Sequence, residues 1–214
     1  MSVISTLIDL VLHLDKHLAW VIDKFGAWSY LIIFLIIFFE TGLVFTPFLP
    51  GDSLLFAVGA FSALGSLNVW LFFLLLSIAA IVGDSVNYSI GHFLGKKILA
   101  MKSKFIKKEY IDKTQHFYDK YGAKTIVIAR FIPIVRTFAP FLAGLGAMNY
   151  FKFLSYNIIG GILWVAVFVF GGFFFGNIPL VKENFTIAIL IIIAISFIPV
   201  VIEVVRHYRQ KKKA

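Results

Sequence analysis

The chain has 214 residues, of which 60% are hydrophobic and 14% charged, and its mean hydropathy is +0.93. Soluble domains average about 25% charged residues, so this composition excludes a soluble globular protein, and the absence of cysteine excludes disulfides and thiolate metal sites. The net charge of +9 is concentrated in a lysine-rich segment, Lys96–Lys124, and in the C-terminal tail, which indicates cytoplasmic loops beside anionic headgroups and not a nucleic-acid surface.

The first predicted element, over residues 1–27, is an amphipathic helix that lies in the membrane interface. Charged and imidazole side chains interrupt its apolar stretch and no small-residue cleavage site follows, so it is not a cleavable signal peptide. His13 and His17 are one helical turn apart and could bind a metal ion, but no third ligand accompanies them. A polar helix face in contact with water is therefore favoured over a metal site. The polar residues that share one arc of the helical wheel are Ser5, Asp9, His13, Lys16, His17, Asp23 and Lys24.

A first broken membrane segment is predicted at about residues 40–64. The apolar run Trp28–Phe39 before it and the apolar run Leu54–Leu64 within it are each too short to span a bilayer, which takes about 20 residues. Acids, prolines and glycines between such runs indicate a re-entrant hairpin. In the alternative interpretation, Thr46–Ser53 is an ordinary turn outside the membrane. The residues that interrupt the hairpin include Glu40, Pro50, Gly51 and Asp52.

Leu67–Ile90 is predicted to be a full transmembrane span, and Asp84 lies near its end. Two interpretations of Asp84 stay open: a third functional acid, or an interfacial residue that merely ends the span. The next segment, Lys96–Tyr121, is predicted to be a basic, mostly helical connector whose lysines face water and lipid headgroups.

The stretch from 124 to 148 is apolar, yet it carries Arg130 and Arg136, with Pro133 midway between them. On an unbroken helix these arginines would point to different faces, whereas a break at the proline lets both guanidinium groups reach one place. An intramembrane arginine costs about 2.5–3.5 kcal/mol on insertion scales and usually marks a substrate path or a partner charge. We therefore predict a second re-entrant hairpin, the alternative being that both arginines snorkel to the surface from a shallow loop.

Two further spans follow. Phe151–Gly176 is predicted to cross the membrane, and residues 178–205 are predicted to form a C-terminal transmembrane helix with Pro199 as a tolerated kink. Residues 206–214 are predicted to be a basic cytoplasmic tail. Residues 28–177 then form one membrane domain that contains both hairpins.

Short matches between the two halves indicate an internal repeat. Phe48–Pro50 matches Phe131–Pro133 at an offset of 83 residues, and Gly91–Gly95 matches Gly172–Gly176 at an offset of 81. With the lysine-rich connector in the cytoplasm, one span separates the hairpins, so they enter from opposite sides. The predicted fold is an all-α polytopic membrane protein of two inverted repeats. Each repeat is a proline-broken re-entrant hairpin followed by a transmembrane helix, and the repeats are accompanied by the N-terminal amphipathic helix and the C-terminal transmembrane helix.

Three spaced motifs lie within the stretch from Tyr30 to Gly176. They are Phe48-Leu-Pro50-Gly51-Asp52, Gly83-Asp84-x-x-x-Tyr88-x-x-Gly91, and Arg130-Phe-x-Pro133-x-x-Arg136-Thr followed by Ala143-Gly144. Together they resemble the DedA family of small bacterial membrane proteins, which share the VTT or SNARE-associated domain. Two positions depart from the family pattern: His92 stands where arginine is frequent, and Ile134 stands where glycine is common.

The resemblance implies a multi-pass protein of the bacterial cytoplasmic (inner) membrane that moves phospholipids or polyprenyl phosphates between leaflets and depends on the proton gradient. It implies that Glu40 and Asp52 are the proton-coupling acids and that Arg130 and Arg136 bind the lipid phosphate. The residues expected to support the site are Asp84, Pro50, Gly51 and Pro133.

Charge balance suggests how such a site would work. Two acids and two arginines sum to zero, so the empty site is neutral, and a lipid phosphate would compete with Glu40 and Asp52 for the arginine forks. Desolvation and the incoming anion both favour the neutral form of a carboxyl group, so substrate binding and proton uptake are linked.

The other function classes are disfavoured by the residues. An enzyme such as a lipid phosphatase needs a nucleophile or base beside the arginines, but the five histidines lie away from the arginine hairpin, so we expect no enzymatic activity, metal or cofactor. The alternatives are a proton-dependent transporter of small molecules or cations, and a membrane-homeostasis or assembly factor. The expected partners are phosphate-bearing lipids and protons, with no nucleic acid, and the sequence leaves open whether the chain forms a homo-oligomer.

Overall fold

A computed structural model of the chain describes residues 14–43, 51–65, 67–100, 108–146 and 148–178. These residues are helical apart from short turns, and none of them forms a β-strand, so the all-α prediction is confirmed for this part of the chain. Three predictions fall outside the described residues: the start of the N-terminal helix, the tip of the first hairpin including Pro50, and the C-terminal helix with its basic tail.

The described part of the chain contains eight α-helices and one 3₁₀ turn, Gly122–Lys124. The α-helices are α1 (Leu14–Phe25), α2 (Trp28–Gly42), α3 (Gly51–Ala63), α4 (Val69–Ala100), α5 (Lys108–Tyr121), α6 (Thr125–Ala129), α7 (Pro133–Leu145) and α8 (Tyr150–Gly176).

Two of these helices are long and apolar enough to cross a bilayer. The stretches Val69–Gly95 of α4 and Tyr150–Gly176 of α8 have 27 residues each, more than the roughly 20 that a span requires. They coincide with the first two of the three predicted spans, Leu67–Ile90 and Phe151–Gly176, although the helix α4 continues about ten residues beyond Ile90. The apolar helices α2, α3 and α7 have only 15, 13 and 13 residues.

The helical break at Pro133 lies where the sequence predicts it. Ile132 has extended backbone angles (φ −125°, ψ 104°), because the ring of a following proline disfavours the helical conformation of the residue before it. Pro133 then occupies the first turn of α7, where its missing N–H has no helical partner to lose. The break leaves Arg130 at the C-terminal end of α6 and Arg136 in the first turn of α7.

The chain divides into two compact units. The described part of the first unit comprises residues 14–29, 51–65, 67–69 and 168–178. That of the second comprises residues 30–43, 70–100, 108–146 and 148–167.

In the first unit, α3 packs on the last turns of α8 with its backbone in direct contact. A Cβ added to Gly59 would lie 2.0 Å from the carbonyl oxygen of Val169, and one added to Gly172 would lie 2.0 Å from that of Phe56. Only glycine permits so close an approach of two helices.

In the second unit, α7 packs on α4 by the same kind of contact. A Cβ on Gly144 would lie 2.0 Å from the carbonyl oxygen of Tyr88, and one on Gly91 would lie 2.0 Å from that of Phe141. The amphipathic helix α5 covers α7, and its Tyr118 hydroxyl donates a hydrogen bond to the Ala139 carbonyl at 2.7 Å. The connector, whose lysines are predicted to face water and headgroups, thus also packs one face against the protein.

Candidate functional site

Both arginines of the second hairpin are buried in the second unit. Arg130 is 1% exposed and Arg136 is 8% exposed. Their guanidinium carbons lie 5.9 Å and 5.1 Å from the ring centroid of Trp164, a fully buried residue of α8. A guanidinium group within about 6 Å of an indole ring is attracted to its electron-rich face. The break at Pro133 thus allows two cations that are six residues apart to share one aromatic ring.

Arg130 forms a buried ion pair with Asp84. Its Nη2 lies 2.6 Å from Oδ2 of Asp84, and the two side chains are 1% and 3% exposed. The same nitrogen donates a hydrogen bond to Oδ1 of Asn157. Asn157 is held in turn by α4, because its Nδ2 donates to the carbonyl oxygen of Ile81 at 2.9 Å. Asp84 is thus buried and paired, and it does not end its helix, since α4 continues to Ala100.

Two consecutive glycines of α8 make room for the Arg130 side chain. A Cβ on Gly160 would lie 3.3 Å from the Cδ and Nε atoms of Arg130, and one on Gly161 would lie 3.4 Å from its Nη2. At these distances a side chain would crowd the guanidinium group. The glycine pair therefore allows the cation to lie directly against the helix.

Arg130 retains hydrogen-bond donors that nothing in the described part of the chain accepts. A guanidinium group carries five N–H bonds, and the two on Nη2 are directed to Asp84 and Asn157. The remaining N–H bonds, on Nε and Nη1, are buried and have no partner among the described residues. Leaving such donors unsatisfied is costly, and their natural partner is an anion with several oxygen atoms.

Arg136 forms the second ion pair of the site. Its Nη2 donates to Oε1 of Glu40, which lies in the last turn of α2 and is 4% exposed. The two buried acids and two buried arginines in this part of the second unit sum to zero charge, which is the condition under which buried charges are tolerated.

Asn87 connects the two helices that carry this second pair. Its fully buried amide donates to the carbonyl oxygens of Thr41, at 3.2 Å, and Thr137, at 3.0 Å. These acceptors directly follow Glu40 and Arg136 in the chain. The carbonyl of Thr41 lies at the C-terminal end of α2, where carbonyl groups lack helical partners.

The structure distributes the predicted site residues over both units. Glu40, Asp84, Arg130 and Arg136 lie in the second unit, whereas Gly51 and Asp52 begin α3 in the first unit. Asp52 is partly buried in the first turn of α3. Pro50 is outside the described residues, and Pro133 begins α7.

The charge balance drawn from the sequence pairs the two arginines, Arg130 and Arg136, with the acids Glu40 and Asp52. Among the described residues, the acid that contacts Arg130 is instead Asp84. Three further site residues were missed: Asn87, Asn157 and Trp164. Asn157 carried a signal, since an amide in the middle of an apolar span requires a partner, but a buried tryptophan carries none.

The described residues offer no group of three acid or imidazole side chains that could hold a metal ion. Near the site, burial raises the pKa of the Tyr118 phenol, and the negative charge of Asp84 raises it further. Tyr118 is therefore neutral at physiological pH and contributes no charge to the site.

The chain was compared with protein-family models and with solved structures. Residues 49–174, more than half of the chain, match the model of the VTT domain. No solved structure matches the chain significantly.

The chain is similar to named membrane proteins over most of its length. It is 53% identical over 217 residues to "Protein DedA" of Escherichia coli strain K12, covering 100% of this chain and 99% of that protein. It is 40% identical over 185 residues to an uncharacterized membrane protein of Mycobacterium tuberculosis strain H37Rv (85% and 81% covered). It is also 36% identical over 151 residues to the "Inner membrane protein YqjA" of E. coli K12 (70% and 69% covered).

Proposed function

The chain belongs to the DedA family of VTT-domain membrane proteins, and from this premise we propose that it moves a phosphate-bearing lipid between the leaflets of the bilayer. The lipid class is a polyprenyl phosphate or a phospholipid, and the movement is coupled to protons. The proposal also places the protein in the bacterial cytoplasmic membrane as a multi-pass protein. The names of its relatives support a membrane location.

The observation that carries this proposal is the set of unused donors on Arg130. A guanidinium group binds phosphate oxygens through its N–H bonds, and those on Nε and Nη1 are free to donate to an anion while Nη2 holds Asp84 and Asn157. Arg136 shares the ring of Trp164 and supplies a second positive charge nearby. A cation transporter could use the buried acids, but it has no use for unpartnered donors.

Proton coupling follows from the neutrality of the empty site. A phosphate adds negative charge to two balanced ion pairs, and in a buried site that excess is removed at the lowest cost by protonating a carboxylate. Glu40 and Asp52 are the acids that the family resemblance designates for this step. Uptake is favoured on the acidic side of the membrane and release on the alkaline side, so a proton gradient can bias the cycle.

The inverted-repeat architecture is part of the same proposal, and glycine packing supports it. Gly91 and Gly172 are 81 residues apart, and each faces the carbonyl oxygen of a phenylalanine, Phe141 or Phe56. Gly144 and Gly59 face the carbonyl oxygens of two residues, Tyr88 and Val169, that are also 81 apart. The glycine–carbonyl contacts between α7 and α4 in the second unit thus have counterparts between α3 and α8 in the first. Repeats of this kind bind their substrate on broken helices in transporters.

The proposal is tested by translocation of headgroup-labelled lipid in proteoliposomes. Wild-type protein is expected to move labelled phosphatidylglycerol or polyprenyl phosphate faster than protein-free vesicles do. Arg130→Lys is expected to abolish that acceleration, because an ammonium group that retains Asp84 and Asn157 has one N–H bond left for the phosphate, where the guanidinium group has three. Lys152→Ala, on the exposed surface of α8, is the control for loss of a basic residue.

Rates of the wild type that equal those of empty vesicles for both lipids would overturn the proposed function. An Arg130→Lys variant that transports like the wild type at equal protein level would contradict the phosphate-binding role of Arg130.

A further inference from the structure

We infer that Asp84 is the residue that takes up a proton when a phosphate binds Arg130, and that Asn157 holds the guanidinium group in place while it does so. The inference rests on the proposed function, because it concerns the same phosphate site. It adds to that site an acid that the family resemblance did not designate for proton coupling.

The first step is that phosphate and Asp84 would share one guanidinium group. Asp84 is 2.6 Å from Nη2 of Arg130, and the unused N–H bonds lie on the adjacent nitrogens Nε and Nη1. An anion bound to those nitrogens therefore lies on the same planar cation as the carboxylate. No other acid of the described chain contacts Arg130.

The second step is the change in charge balance at Arg130 when the phosphate binds. Before binding, one cation faces one anion, and afterwards the same buried cation faces two. Repulsion between two anions at this separation is strong where water does not screen it. Transfer of one proton to the carboxylate removes the repulsion, and Asp84 is the carboxylate that shares the guanidinium group with the phosphate. The proton leaves again when the phosphate leaves.

Among the described residues, no second proton acceptor contacts the guanidinium group that Asp84 contacts. Arg136 on α7 acts on Asp84 from the neighbouring pair, but its own partner is Glu40 of α2. Tyr118 on α5 is a neutral phenol, because burial and the Asp84 charge both raise its pKa. On α8 the facing polar group is the amide of Asn157, which does not titrate.

The third step is the fate of Arg130 once Asp84 is neutral. Asn157 still accepts a hydrogen bond from Nη2 at any pH, and its own Nδ2 is bound to the carbonyl oxygen of Ile81. The guanidinium group also lies against Gly160 and Gly161. Arg130 therefore stays oriented toward the phosphate while Asp84 loses its charge, which makes Asn157 a positioning residue.

The test is the number of protons taken up per bound phosphate. Calorimetric titrations of the purified full-length protein in detergent, in buffers of different ionisation enthalpy near neutral pH, give this number directly. The probes are short-chain phosphatidylglycerol, whose phosphodiester does not titrate in this range, and farnesyl phosphate, a monoester. Whichever probe binds, Asp84→Asn is expected to bind it with about one proton fewer than the wild type. Asp112→Asn, on the exposed surface of α5, is the matched control and is expected to keep the wild-type number. Loss of one proton in Glu40→Gln or Asp52→Asn, with none lost in Asp84→Asn, would assign the uptake to that acid instead.

Asn157→Ala has a different expected signature. It should weaken phosphate binding by about tenfold, as expected for loss of a hydrogen bond to a charged group, without changing the number of protons. A change in proton number with unchanged affinity would contradict its positioning role.

The outcomes are distinct. An Asp84→Asn variant with the wild-type proton number would overturn the assignment of Asp84 while leaving the phosphate site intact. Failure of the wild type to bind either probe would overturn the proposed function, and the assignment of Asp84 with it.

If Asp84→Asn does not fold, two measurements take its place. Asp84→Glu should keep the wild-type proton number, and the infrared difference spectrum of wild-type protein should show a protonated carboxyl band on phosphate binding. That band should shift when aspartate is isotopically labelled and not when glutamate is. A band that follows the glutamate label instead would refute the inference.

Discussion

At the scale of single residues, the site depends on amides as much as on charges. Asn157 holds Arg130, and Asn87 ties together the backbone beside Glu40 and the backbone beside Arg136. A buried amide keeps its donors and acceptor at any pH. It can therefore hold a charged side chain in position through a cycle in which carboxylates gain and lose protons.

We predict that Asn87→Ala lowers both stability and transport. The substitution leaves the buried carbonyl oxygens of Thr41 and Thr137 without their amide donor, which costs about 1–3 kcal/mol. Thermal unfolding in detergent and lipid translocation at equal protein level measure the two effects.

The matched control is Asn177→Ala. Its amide also donates to a carbonyl oxygen, that of Phe173, at 2.9 Å, but on an exposed surface where water can replace it. Equal losses for the two alanine variants would contradict a special role for Asn87.

At the scale of helices, close packing depends on glycines placed against carbonyl groups. α7 meets α4, and α3 meets the end of α8, at distances that exclude a Cβ. Because the obstacle in each case is backbone, a larger residue cannot be accommodated by rotating a side chain. Each short helix is therefore seated on its long partner at one register.

We predict that Gly172→Ala destabilises the protein while its neighbour Gly171→Ala does not. A Cβ on Gly172 would lie 2.0 Å from the carbonyl oxygen of Phe56, an overlap that costs about 1–3 kcal/mol or more. A Cβ on Gly171 would meet only the edge of the Phe56 ring at 3.9 Å, and alanine favours the helix by about 1 kcal/mol. Melting temperatures of the two variants in the same detergent test this.

The equivalent substitution in the second unit is Gly91→Ala, which is expected to destabilise in the same way. The packing argument fails if Gly171→Ala and Gly172→Ala melt at the same temperature.

At the scale of the whole molecule, charge asymmetry predicts the orientation. The lysines between Lys96 and Lys124 and the basic tail are expected on the cytoplasmic side, since basic loops are retained there. α5, within the lysine-rich segment, is amphipathic and exposes Asp112.

We predict that a cysteine at Asp112 is unreachable from outside intact cells. The chain contains no cysteine, so Asp112→Cys is the only thiol in the variant. A membrane-impermeant maleimide should label it in inverted vesicles or permeabilised cells and not in intact ones. Full labelling of intact cells would reverse the proposed orientation.

The sequence by itself determined the class of the protein, the two long helices and the break between the arginines. These features depend on local or summed properties: mean hydropathy sets the class, the length of an apolar run sets a span, and a proline ring sets the conformation of the residue before it. Arg130 and Arg136 could also be singled out from the sequence, because the free-energy cost of placing arginine in an apolar membrane segment is reason enough to expect a function for it.

Only the tertiary structure decided which groups meet. Arg130 is 46 residues from Asp84 and 27 from Asn157, and the choice of Asp84 over Glu40 or Asp52 as its partner depends on how α4 and α8 pack around the break. The unused donors on Arg130 are likewise a property of that packing. A sequence shows that an arginine has N–H bonds to satisfy, but the positions of helices far apart in the chain determine which of them remain free.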